Sequence, residues 1–149
     1  MKLLPTLSLF CMMILLLSCS QDQSQEIVPP TGPLSVEHIV KTLEKYRPES
    51  GDNLQRCFEK FQGRAFQGMG FSDESPGNIP TQMLGLGYPV RLDTGRRANK
   101  KQIYIVIYVS KSEAESLEYR QQVHCEGTFD SVEIGPQEYY FFIISGHFS

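Results

Sequence analysis

Four cations crowd one short stretch of this chain: Arg96, Arg97, Lys100 and Lys101. Such a cluster in a turn can grip phosphate on a lipid, a lipopolysaccharide or a nucleic acid. The plainer reading is a solvated hairpin whose charge guards a sheet edge against pairing, and that reading is the favoured one. Aromatic residues form the second set: Phe66, Phe71, Tyr88, Tyr104, Tyr108, Tyr139 and Tyr140 all fall on or beside strand-like segments. Exposed rings can stack sugars or bases, but the interior of a small barrel also uses rings as filling. Tyr104 and Tyr108 alternate with Ile103, Ile105, Ile107 and Val109, so they form the outward pair of that strand. His124 and Cys125 are adjacent on a strand and point to opposite faces, so they cannot act as base and nucleophile. The glycines of GRAFQGMG and GLG match no phosphate-loop pattern. Carboxylate pairs, a serine elbow and zinc spacing are likewise not seen, so no enzyme, metal or cofactor is expected.

The N-terminus decides where these residues would work. Lys2 is the only charge before residue 20, and Leu3 to Leu17 is almost wholly apolar. This is a charged n-region and an h-region of signal-peptide length. A spanning helix needs about 20 apolar residues, more than this run supplies. The run ends in Leu16-Leu17-Ser18-Cys19, which resembles the lipid-attachment signal of bacterial lipoproteins. The resemblance implies cleavage before Cys19 and acylation of its side chain and new amino group. Several acyl chains anchor a protein stably. Ser20, where Asp would favour the inner membrane in many such proteins, points to the outer membrane facing the periplasm. Residues 1–18 are then a signal, 19–33 a lipidated tether rich in proline, and 34–149 a single globular domain.

With Cys11 lost in the signal and Cys19 acylated, Cys57 and Cys125 remain. In an oxidising compartment two such residues most simply form one disulfide, the alternative being two buried thiols. The formal charge of −3 becomes one unit more negative without Lys2. A mildly acidic domain has no general footprint for nucleic acid.

The elements that must position these groups follow from periodicity. Val36, Ile39, Val40, Leu43 and Tyr46 form a helical stripe with Ser35 as N-cap and Pro48 as terminator. Asp52 and Gln55 read as a capping box for a second helix, whose apolar face is Leu54, Cys57, Phe58 and Phe61. Residues 64–71 form a strand in which Gly68 and Gly70 predict a bulge or bend. A loop over 72–81 and a strand through Leu84, Leu86, Tyr88, Val90 and Leu92 come next. Asp93 to Lys101 reads as a turn, and 103–109 as a strand apolar on both faces. A helix is predicted over 112–122, with Ser112 and Glu115 as its capping box. Val123 to Ile134 is a strand with a bulge near Asp130, and 139–144 is the last strand.

The class is mostly β: a small five-stranded antiparallel barrel or open sheet preceded by two short helices. Three strands, a helix and two strands is an order similar to the oligonucleotide/oligosaccharide-binding barrel, the OB-fold. Two functions stay open. One is a lipid-anchored cell-envelope protein acting as a periplasmic interaction or assembly module with a protein partner. The other is a module binding a glycan, lipid or nucleic-acid segment on the barrel face through Tyr104, Tyr108 or the basic turn.

Overall fold

The computed structural model describes residues 31–45, 51–73 and 85–149. Cys19, the signal and the tether as far as residue 30 lie outside the described residues, as do Tyr46, Pro48 and most of the loop after Ser72.

Nine elements are present among the described residues: β1 (Leu34–Ser35), α1 (Val36–Lys45), α2 (Gly51–Glu59), β2 (Ala65–Ser72), β3 (Tyr88–Ala98), β4 (Lys101–Val109), α3 (Lys111–Glu115), β5 (Gln122–Ile134) and β6 (Glu138–Phe148). The strands run in the order β1-β2-β3-β4-β6-β5, and β2 also pairs with β5. That last pairing closes β2 to β6 into a five-stranded barrel, with β1 added alongside, and it excludes the open sheet.

The barrel is not purely antiparallel. β4 and β6 run parallel from Gln102↔Glu138 to Ile107↔Ile143. The chain leaves β4 through α3, comes back down β5 and turns up again, so the strand that reaches β4 has the same direction. A parallel neighbour needs such a crossover.

Strand periodicity places the core. Leu92, Ile103, Ile105, Ile107, Phe141 and Ile143 are fully buried, and they alternate with residues that face outward. On β5 the inward set shifts from Val123, Cys125 and Phe129 to Val132, with a register break between Phe129 and Ser131. The bulge expected near Asp130 is there. Gly68 and Gly70, by contrast, sit in an unbroken β2–β5 register. A Cβ on Gly68 would lie 2.7 Å from the Phe66 ring, and one on Gly70 would lie 2.9 Å from Leu92 Cβ. Glycine is required there by close packing at a strand that changes partner, from β1 in its first half to β3 in its second.

The helices close the two ends. Ser35 Oγ accepts from His38 N at 3.3 Å, the N-cap bond expected of it, and Ile39 and Leu43 are buried. On α2, Leu54, Cys57 and Phe58 are buried, as is Phe61 just beyond it. The Phe58 ring meets Phe141 at 5.1 Å and 66°, and Phe129 at 6.1 Å. These contacts plug one barrel end with aromatic edges. α3 covers the other end; it begins one residue before the expected 112 and ends at Glu115 rather than 122, and its cap lies two residues before the expected Ser112. Its cap is Ser110, whose hydroxyl accepts from Glu113 N, while the Glu113 carboxylate accepts from Ser110 N. Ser110-x-x-Glu113 and Ser112-x-x-Glu115 fit the capping pattern equally. The former prevails because β4 ends at Val109 and because Glu113 also accepts from Phe148 N at 3.0 Å.

Candidate ligand-binding cleft

The basic stretch is mostly strand. β3 continues to Ala98, and the turn is only Asn99-Lys100, with φ of 50° and 67°. Positive φ at both central residues is the hairpin geometry that matches strand twist. The longer turn expected from Asp93 fails because Gly95, at φ 66°, serves a bulge within β3 rather than a chain reversal. Asp93 Oδ1 accepts from Gly95 N at 2.8 Å. Thr94 Oγ1 accepts from Arg96 N at 3.2 Å and donates to Ile103 O at 2.7 Å.

The bulge separates the basic residues. Arg97, Lys100 and Lys101 line one cleft of about 500 Å³ together with Asn99, Gln102, Tyr104, the β5–β6 turn residues Pro136 and Gln137, and Glu138. Arg96 goes elsewhere, to a cavity of about 580 Å³ walled by Glu37, Met69, His124 and Glu126. Tyr108 lies four residues along β4 from Tyr104 and opposite Pro89. It is only 7% exposed, so the two tyrosines do not make one open platform.

Within the cleft the side chains are held by their neighbours. Gln102 Nε2 donates to Asp93 Oδ1 at 2.6 Å, which turns its Oε1 toward Arg97 Nε at 3.2 Å. Lys101 Nζ donates to Gly135 O at 2.7 Å and stands 5.2 Å from the Tyr139 ring centroid. Asn99 Nδ2 donates to Leu43 O at 2.7 Å and ties the turn to α1. Tyr104 stacks on Tyr140 at 5.6 Å and 17°, with the Arg91 guanidinium 5.3 Å from its ring centroid. Arg91 in turn pairs with Asp73 at 2.7 Å. Burial, then the Asp93 and Asp73 charges, raises the Tyr104 pKa. Burial and Asp130 raise that of Tyr108. Both phenols stay protonated near neutral pH and can donate.

Arg91, Gln102 and Tyr140 are the members of this site that the sequence does not single out together. Parity puts each on an outward face, but which strands are neighbours is a property of the closed barrel.

The two cysteines are separate buried thiols. The expected disulfide does not join them. Burial pushes the Cys125 thiol up to about 12, against a backbone hydrogen bond from Gly68 that lowers it. His124 is exposed where Cys125 is buried, on opposite faces as expected.

Among the described residues no three of His, Cys, Asp and Glu gather into a metal-ligand set, and no helix is long and apolar enough to cross a membrane. What the cleft can do chemically is hold an anion against an aromatic wall. No protein family, curated protein or solved structure matches this chain.

Proposed function

We propose that this chain is a lipid-anchored cell-envelope protein, acylated at Cys19, in which an OB-type barrel serves as a periplasmic interaction or assembly module. One observation supports a role for the outer surface. The barrel interior is filled by its own side chains, while Tyr104, Val106, Tyr140, Phe142 and Ile144 form a half-buried row outside, across β4 and β6. A protein partner would cover that row. The acyl chains would hold the barrel at the outer membrane, facing the periplasm. Binding rather than catalysis is the proposed role, and no cofactor is invoked.

In-cell crosslinking of the membrane-anchored protein, followed by mass spectrometry, tests this reading. A stoichiometric envelope protein, lost in a Phe142→Ser variant that still folds, supports it. Crosslinks to no protein would sink it. The anchor is tested separately, by intact mass and membrane fractionation of a Cys19→Ala variant.

The second reading is a ligand-binding module for a glycan, lipid or nucleic-acid segment. The gathering of Arg97, Lys100, Lys101 and Tyr104 in one cleft favours it. Tyr104→Ala that leaves folding intact and removes a small-ligand signal would separate it from the first.

A further inference from the structure

Three cations and one carboxylate line the cleft between the β3–β4 and β5–β6 turns, on a chain whose formal charge is −3. Positive charge is therefore segregated here. The way these cations are held matters more than their number. Gln102, itself fixed by Asp93, occupies only Nε of Arg97. The two terminal nitrogens of that guanidinium stay open, and together they form the fork that takes two oxygens of one anion. Lys101 spends one of its three N–H donors on Gly135 O. Lys100 is exposed at the tip of the turn. Tyr104 supplies a wall with a protonated hydroxyl.

We propose that this cleft is a phosphate-binding site, with Arg97 as the bidentate ligand, Lys100 and Lys101 as further donors, and Tyr104 against the organic part of a phosphate-bearing group. Asp93 and Gln102 are positioning residues that aim Arg97. A fork with two further ammonium groups suits a tetrahedral oxyanion, which presents several oxygens at once, better than a lone carboxylate. The site rests on the ligand-binding reading and not on the lipid anchor. A phosphate-bearing group reaches such a site from solution or from a lipid headgroup.

The test uses the full chain in maltoside micelles, observed through its backbone amides and the Arg97 Nε–H. Glycerol 3-phosphate is titrated in, with acetate at equal ionic strength as the comparison. The same signals are read in nanodiscs of phosphatidylcholine with and without phosphatidylglycerol. The expected result is saturable shifts at Arg97, Lys101 and Tyr104 with the phosphate and not with acetate. Arg97→Gln should weaken binding at least about ten-fold with an unchanged melting temperature. Lys111→Gln, on α3, should leave it unchanged. Response to the glycerol phosphate supports a soluble phosphate ester. Response only to phosphatidylglycerol supports a headgroup. Silence in both arms, equal shifts with acetate, or equal weakening by Lys111→Gln would overturn the proposal. An envelope partner found by crosslinking would stand regardless.

Discussion

The two ends of the barrel use charge differently. At the α3 end, Glu113 accepts from the Ser110 hydroxyl, Ser110 N and Phe148 N, so its oxygens are committed to holding the helix and the last strand. At the turn end, Arg97 and Lys101 each make one hydrogen bond and keep donors in reserve. Beneath them the aromatic plug of Phe58, Phe129 and Phe141 closes the core without using any charge. A charged group whose hydrogen-bonding capacity is consumed by the fold is a stability element. One whose capacity is left over, held in place by neighbours, is available to a ligand. The comparison predicts that substitutions at the α3 end cost stability and that charge removal at the turn end costs almost none.

The largest expected effect concerns the buried thiol of Cys125, which lies opposite Phe148 toward the α3 end. Burial lifts Cys125 to about 12, so its thiolate fraction near pH 8 falls by about a thousand-fold relative to an ordinary cysteine. Native protein should resist alkylation at Cys125. In denaturant and without reductant, both Cys57 and Cys125 should label. Labelling that requires reductant would show instead that the two thiols are joined.

Phe141→Ala should be next. It empties the centre of the plug and should cost about 3–5 kcal/mol in chemical denaturation. A loss under 1 kcal/mol would show that α2 does not close the turn end.

Glu113→Gln should cost about 1–2 kcal/mol, since it weakens a charge-assisted cap and a tie to β6 together. Burial raises the Glu113 pKa, but hydrogen bonds from Ser110 and Phe148, aided by His147, outweigh it and leave the group below its ordinary value. The sign follows from linkage. A folded-state pKa below the unfolded one gives stability that is present above the unfolded value and lost as pH falls through the folded value. Stability of the native protein should therefore drop below about pH 4.5 more steeply than that of Glu113→Gln.

The smallest effects are expected at the cleft. Arg97→Gln and Lys100→Gln should each change stability by no more than about 0.5 kcal/mol, because both side chains are exposed. A loss near 2 kcal/mol for either would move that residue to the structural side of the comparison.

Much of the barrel was legible from alternation. Ile103, Ile105, Ile107 and Val109 on one parity, against Tyr104 on the other, told inside from outside on β4, although Tyr108, of the same parity as Tyr104, is buried; the bulge near Asp130 followed from the parity switch on β5. Where local signals came in equivalent pairs, they misled. Gly95 has the conformation of a turn residue, but it bends a strand. Ser110 and Ser112 both head a capping pattern, and only the tie from Glu113 to Phe148 selects the first.

Composition and order along the chain were enough for the strand-rich class, the inward residues and the candidate basic and aromatic groups, because side-chain parity and helix capping depend on neighbours a few residues apart. The lipid-attachment expectation at Cys19 is of the same local kind. Closure through β2–β5, the parallel β4–β6 pair, and the sorting of Arg97, Lys100 and Lys101 away from Arg96 were settled by folding. Each depends on strand register and barrel closure, which join residues distant in the chain through backbone hydrogen bonds that carry no mark of their partner.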